Sequence, residues 1–111
     1  HTAKFLKENK SIAIIIPTYN EEETIVSLMN QLEEIKDRCE IVFVDGGSTD
    51  NTVKLIKESK FRLLHSKKGR NNQMNLGALS VEADILFFLH CDSVLPPNPL
   101  KEILDLMAAL A

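Results

Sequence analysis

The sequence has no excess of positive charge, no long apolar run and few cysteines, and each shortage removes a class of protein. Its 13 Lys and Arg are outnumbered by 16 Asp and Glu, for a net charge of -3. General nucleic-acid binding needs a basic face, so no nucleic-acid partner is expected. No apolar stretch approaches the roughly 20 residues of a membrane helix, and the opening residues do not read as a signal peptide. A cytoplasmic location follows as an expectation, with membrane contact only through regions outside these residues. Cys39 precedes a predicted strand and Cys91 follows one. In a parallel sheet those are opposite ends, roughly 17–20 Å apart for strands of ordinary length, and a disulfide needs Cα atoms within about 7 Å. Both cysteines therefore read as free thiols in a reducing compartment.

What is present is a core. Of 111 residues, 44% are hydrophobic, which suits one domain of modest size. Four short apolar runs alternate with four helical patterns. The runs are Ile12–Ile16, Ile41–Val44, Phe61–His65 and Ile85–Leu89. Three are almost wholly apolar, as parallel strands covered on both faces are. The third carries Arg62 and reads as an edge strand. A first helix is expected from Glu21 to Ile35, with Ile25, Leu28, Met29, Leu32 and Ile35 on one face, Asn20 as N-cap and Glu23 at the capping-box position. A second starts after Asp50, with Val53 and Ile56 inward. A third spans Asn71–Val81, and a fourth follows Pro97-Asn98-Pro99. Alternating strands and helices predict an α/β fold, a Rossmann-like parallel sheet with strand order 3-2-1-4. In such sheets ligands sit at the carboxyl ends of the strands, where the order reverses.

The chemistry gathers at that edge. Strand 1 leads into "PTYNEEET", strand 2 into "DGGSTDNT", strand 3 into "SKKGRNNQMN" and strand 4 into "HCDS". Pro17 is expected to stop strand 1, and Thr18 and Glu21 to face the crevice. Asp45 closes an apolar strand, where a carboxylate is costly without a partner; a nucleobase N–H or a ribose hydroxyl would be one. Gly47, with Gly46, permits close backbone approach or positive φ, while Ser48 and Asp50 equally suit a tight turn and an N-cap. Lys67, Lys68 and Arg70 form the only local basic cluster, suited either to solvent or to an anion at the following helix N-terminus. Gly77 would let that helix pack closely. His90 and Asp92 end the fourth run. A cation that bridges phosphates needs only one or two protein carboxylates, so Asp92 can be a ligand, and His90 can ligate, contact a ribose or only order Asp92.

Taken together, "IIIPTYNEEETI", "IVFVDGGSTDNTV", "GRNNQMNLGA" and "ILFFLHCDSVLPP" resemble the family 2 glycosyltransferases, which have the glycosyltransferase A fold. The likeness runs from Ser11 to about Leu106. The "VDGGSTD" and "FLHCD" forms resemble a bacterial subgroup with "GG" and "H-x-D" where most relatives have "DG" and "D-x-D". The resemblance implies a nucleotide-diphospho-sugar donor and a Mg²⁺ or Mn²⁺ ion. By matching position, Thr18 and Glu21 would contact the nucleoside and Asp45 the base. Arg70 would lie near the base or diphosphate, and Asp92 would bind the metal. His90 stands where the family usually has the first Asp of its metal motif, which opens the question of metal preference.

Family members join a donor half to an acceptor half that carries the catalytic carboxylate. No Glu-Asp or Asp-x-x-Arg segment follows "HCDS", and Asp105 falls on the fourth predicted helix. The expectation is a single donor domain over residues 1–111, truncated at its C-terminus, without the general base of an inverting transfer and inactive alone. The rival reading is a non-catalytic nucleotide- or metal-binding module. A dinucleotide oxidoreductase is disfavoured because no G-x-G-x-x-G follows strand 1. A dehalogenase-like phosphatase would need a carboxylate where Gly47 stands, and a sugar nucleotidyltransferase would need a glycine-rich loop after strand 1. Strand 4 is apolar with no outer neighbour in the sequence, so self-association as a dimer is expected.

Overall fold

A computed structural model describes residues 11–92 together with Leu95, Asn98, Lys101 and Glu102. Four strands, β1 (Ile12–Thr18), β2 (Glu40–Asp45), β3 (Arg62–His65) and β4 (Ile85–Phe88), form one sheet in the order β3-β2-β1-β4. Every pairing is parallel. Three helices connect them: α1 (Ile25–Leu32), α2 (Thr52–Glu58) and α3 (Arg70–Leu79). Beyond β4, Lys101 and Glu102 are helical; the rest of the expected fourth helix, with Asp105, lies outside the described residues.

Burial on both faces explains the apolar runs of β1 and β2; β4, expected to be covered likewise, leaves Leu86 and Phe88 exposed on one face. Ile12, Ile14 and Ile16 point to one side with Ile41, Phe43 and Ile85, under the apolar stripe of α1 (Ile25, Leu28, Met29, Leu32) and Ile56 of α2. Ile15, Val42 and Val44 point to the other side, under Leu76 and Ala78 of α3. Phe43 meets Phe61 edge to face, with ring centroids 5.5 Å apart. β3 is an edge strand as expected: Arg62 is exposed and binds Glu40 at 2.9 Å, and it donates to the Ser80 carbonyl at 3.0 Å.

Two details differ from expectation. β1 runs through Pro17 to Thr18, with Pro17 opposite Val44. The amide of Leu89 donates to Ile15 O, so Ile15, and Pro17 two residues on, face β4. β4 ends at Phe88, so the amide hydrogen that proline lacks would have met no strand there. The first helix begins at Ile25 rather than Glu21, and Asn20 is not its cap. Asn20 adopts a left-handed φ of 52°, which Asn tolerates better than most residues. Its Oδ1 accepts from Thr49 N at 2.8 Å and its own N–H donates to Ser48 Oγ at 2.8 Å. The side chain expected to start a helix instead ties the β1 loop to the β2 loop.

Candidate functional site

All four strands run the same way, so the loops after them share one rim. A cleft of about 290 Å³ opens there, lined by Pro17, Thr18, Tyr19, Glu21, Arg70, Gln73, His90, Cys91 and Asp92. The loops after β1 and β4 and the first turn of α3 thus meet at the reversal between β1 and β4. Of the expected site residues, Thr18, Glu21, Arg70, His90 and Asp92 line the cleft. Asp45 and Gly47 do not.

Asp45 sits behind the cleft wall with 1% of its surface exposed. Its carboxylate accepts from Thr18 Oγ1 at 3.0 Å, Gly47 N at 2.9 Å, Ser48 N at 2.8 Å and the Ser48 hydroxyl. Two oxygens with four donors have their acceptor capacity filled. The partners that an aspartate in this position demands are supplied by its own loop and by Thr18 at the end of β1. Gly47 makes that loop possible with φ of 100°, a conformation costly for any residue with a Cβ. Ser48 joins Asp45 rather than capping α2. The N-cap is Asn51, with no side-chain cap bond; Asp50, one residue before it, accepts from Thr52 N at 2.9 Å and from the Thr52 hydroxyl. Burial works to raise the Asp50 carboxyl, but these bonds, with one from the Glu22 amide, hold it below the ordinary range.

Glu21 is half-buried at the cleft edge. Its amide donates to Thr52 Oγ1 at 2.8 Å, and its carboxylate accepts from Thr24 Oγ1 at 3.3 Å. The basic loop folds inward. Lys68 Nζ lies 4.3 Å from the centre of the Tyr19 ring, within cation–π range. Arg70 Nη2 lies 2.7 Å from His90 Nε2 and 3.1 Å from Nδ1. Asp92 is exposed and makes no hydrogen bond or ion pair among the described residues.

Gln73 is a site residue that the sequence pattern hides. It is 5% exposed, and its amide donates to Thr18 O and Val44 O, each at 2.8 Å. These carbonyls lie at the carboxyl ends of the two central strands, so Gln73 forms the cleft floor and locks α3 to the sheet. The available signal is its spacing, four residues before Gly77 and so on the same face of α3.

Cys39 and Cys91 are free thiols. Burial pushes the Cys91 thiol up to about 12, helped by the negative charges of Glu21 and Asp92 and opposed by a bond with Thr24. Burial raises Cys39 to about 11. Neither is a thiolate at neutral pH, so Cys91 lines the cleft as an apolar group and not as a nucleophile.

Among the described residues, no three His, Cys, Asp or Glu side chains gather to hold a metal ion. Asp92 with His90 offers a two-ligand corner: one carboxylate oxygen donor and one imidazole. Such a corner fits a cation whose remaining ligands are phosphate oxygens and water. Imidazole suits transition ions better than Mg²⁺. Among the described residues, no helix is long and apolar enough to cross a membrane.

Comparison with known proteins agrees with this geometry. Residues 13–110 match the family model described as Glycosyl transferase family 2. A dolichyl-phosphate hexose transferase of Haloferax volcanii is 30% identical over 98 residues, covering 86% of this chain and 42% of that protein. An undecaprenyl-phosphate 4-deoxy-4-formamido-L-arabinose transferase of Proteus mirabilis is 26% identical, covering 89% of this chain and 34% of the relative. The chain thus spans between a third and about two fifths of the length of these relatives. Among solved structures, S. aureus TarS 1-349 superposes with a TM-score of 0.74 at 27% identity, covering 89% of this chain and 32% of that one. Glucosyl-3-phosphoglycerate synthase of Mycobacterium tuberculosis, solved with Mn²⁺, uridine diphosphate and glucosyl-3-phosphoglycerate, superposes with a TM-score of 0.73 at 23% identity. That match covers 83% of this chain and 37% of the synthase.

Proposed function

The chain belongs to glycosyl transferase family 2 and has the parallel sheet of the glycosyltransferase A fold, and on that premise we propose that its cleft binds the nucleoside diphosphate part of a sugar donor. The observation that carries this reading is the meeting of Thr18, Glu21, Arg70, His90 and Asp92 in one cleft at the carboxyl edge of the sheet. Glu21 offers its carboxylate to the nucleoside, while Thr18, 1% exposed with its hydroxyl donated to Asp45, forms the wall behind it. Arg70, at the start of α3, offers a planar fork to the diphosphate. Asp92, with His90, holds the divalent ion, which would neutralise phosphate charge when bound. The imidazole favours Mn²⁺ over Mg²⁺ in this role. Asp45 and Gly47 shape the loop behind the nucleoside; a direct bond from Asp45 to a base would require one of its four donors to turn away.

Uridine diphosphate is the first ligand to test, because the mycobacterial structural neighbour was solved with it and Mn²⁺. Calorimetry is expected to show binding that Mn²⁺ strengthens, with the gain abolished in Asp92→Asn. A Mn²⁺ effect unchanged in that variant would remove Asp92 from the site. No binding of uridine or guanosine diphosphate at millimolar concentration, with or without metal, would remove the donor reading itself. On this reading the 111 residues bind donor without transferring its sugar. Support comes from the share of their relatives that they span. Steady hydrolysis or transfer by this chain alone would contradict that assignment and favour a self-sufficient enzyme.

Self-association belongs to the same reading. β4 is an edge of the sheet, and Leu86 and Phe88, on its α3 side, are 40% and 38% exposed. An apolar edge strand is a template for pairing. A second copy covering Leu86 and Phe88 would bury about 1,000 Å² or more in a specific interface. Light scattering at micromolar concentration is expected to report a dimer; a monomer with a cooperative melt would show that the edge is tolerated open.

A further inference from the structure

Gln73 lines the cleft with 5% of its surface exposed. Its amide nitrogen carries two hydrogens, and both are committed, to Thr18 O and Val44 O at 2.8 Å each. Carbonyl oxygens only accept, so the amide cannot turn over without setting its own oxygen against them. Gly46 stands behind it. A Cβ there would lie 2.9 Å from Gln73 Cδ and 3.1 Å from Oε1, so the bare glycine gives the amide its seat. Oε1 itself accepts from no described residue. Among the described residues, no fully buried side-chain oxygen lacks a partner, so Oε1 is open to the cleft. The cleft floor thus carries a neutral acceptor of fixed polarity, with no donor left to offer.

Such an acceptor distinguishes ligands of the same shape. Uracil and cytosine are nearly isosteric, but the ring nitrogen N3 bears a hydrogen in uracil and a lone pair in cytosine. Guanine likewise bears a hydrogen at N1. Asp45 cannot make this choice, because four donors already fill its carboxylate. Arg70, one turn earlier on α3, and Asp92 serve the phosphate end, while Gln73 is bonded beneath the β1 loop, on the nucleoside side. We propose that Gln73 is the specificity-determining residue of the cleft, its Oε1 accepting from the ring N–H of a uracil or guanine base and disfavouring cytosine. This role rests on the donor-site reading and adds to it which bases the site takes.

The test is calorimetry with uridine and cytidine diphosphate, each with Mn²⁺, on the unaltered chain and on Gln73→Met. Methionine keeps the length of the side chain without its amide, and a thermal melt shows whether the variant is folded. The unaltered chain is expected to hold uridine diphosphate about tenfold tighter or more, the scale of one hydrogen bond whose buried acceptor is otherwise left unpaired. In Gln73→Met the preference is expected to fall below about threefold. If the variant unfolds because Thr18 O and Val44 O lose their donors, the carbon-13 shift of the Gln73 side-chain carbonyl in the unaltered chain decides. Uridine diphosphate is expected to move it, and cytidine diphosphate to leave it in place. Equal binding of the two nucleotides would overturn the assignment. So would a preference that survives Gln73→Met, since Glu21 would then be reading the base. A carbonyl shift common to both nucleotides would also overturn it, by placing a shared ribose hydroxyl on the oxygen. All of these outcomes require that uridine diphosphate binds, so they are distinct from its failure to bind, which would remove the donor site and this role with it.

Discussion

Asp45→Ala is expected to lower the stability of the fold by about 2–4 kcal/mol, because buried donors that lose their acceptor each cost about 1–3 kcal/mol and some will find water at the rim. The four donors now gathered on the carboxylate come from Thr18, Gly47 and Ser48. Without it, the end of β1 and the turn after β2 lose their common anchor, and Gly47 loses the bond that helps hold its positive φ. Asp45→Asn keeps one acceptor oxygen and is expected to cost roughly half as much. Urea or thermal unfolding measures both. Uridine diphosphate binding should fall with Asp45→Ala, as the nucleoside wall loosens. An unchanged melt with lost binding would show that the carboxylate serves the ligand alone, and the structural role assigned to it here would be wrong.

Gly77 carries the second large effect. A Cβ placed there would lie 2.4 Å from Ile15 Cγ2 and 3.1 Å from Val44 Cγ2. Ile15 and Val44 are fully buried on the two central strands. Their branched side chains are stiff and their strands are held on both sides, so α3 must lift instead. Gly77→Ala is expected to cost about 3 kcal/mol, the upper end for overpacking a tight core, and Gly77→Val should exceed that. The movement reaches the site. α3 bears Gln73, bonded to Thr18 O and Val44 O, and Arg70 at its first turn. Nucleotide affinity should therefore fall with stability. Ile15→Ala removes the obstructing methyl, so it should cost less in the Gly77→Ala background than alone. Additive losses would mean that the clash is not the cause.

Much of this was readable in the residues, for a physical reason. Strands buried on both faces must be apolar throughout, so Ile12–Ile16 and Ile41–Val44 identify themselves, and Arg62 marks β3 as an edge; Ile85–Leu89 reads the same way, but only one face of β4 is covered, and Leu86 and Phe88 on the other are exposed. Alternation with helices, together with the resemblance, leads to the order β3-β2-β1-β4 that the sheet adopts. The close approach at Gly77 was legible because a glycine inside a helix calls for a neighbour.

What escaped depends on contacts between distant residues. Asn20 reads locally as a helix cap, but its amide is claimed by Thr49 in the next loop, and α1 starts a turn later. Asp45 reads as a carboxylate awaiting a ligand because the residue pattern does not show the turn that folds Gly47 N, Ser48 N and the Ser48 hydroxyl back onto it, nor the approach of Thr18 from 27 residues away. Gln73 reads as an exposed helical residue until α3 is set on the sheet. The meeting of Arg70 with His90 is invisible for the same reason. Periodicity fixes which face a residue occupies; it does not say which polar groups on a rim will find one another.

The central claim is that the rim between β1 and β4 is a metal-assisted nucleoside diphosphate site. Nuclear magnetic resonance of the labelled chain with uridine diphosphate and substoichiometric Mn²⁺ tests it most directly, because the paramagnetic ion broadens nearby amides. The account predicts broadening centred on His90, Cys91 and Asp92, extending to Thr18–Glu21 and Arg70. Ser11, Glu40, Arg62 and Ile85, at the opposite end of the sheet, should stay sharp. Broadening centred on those amino ends, or spread evenly over the acidic surface, would contradict it.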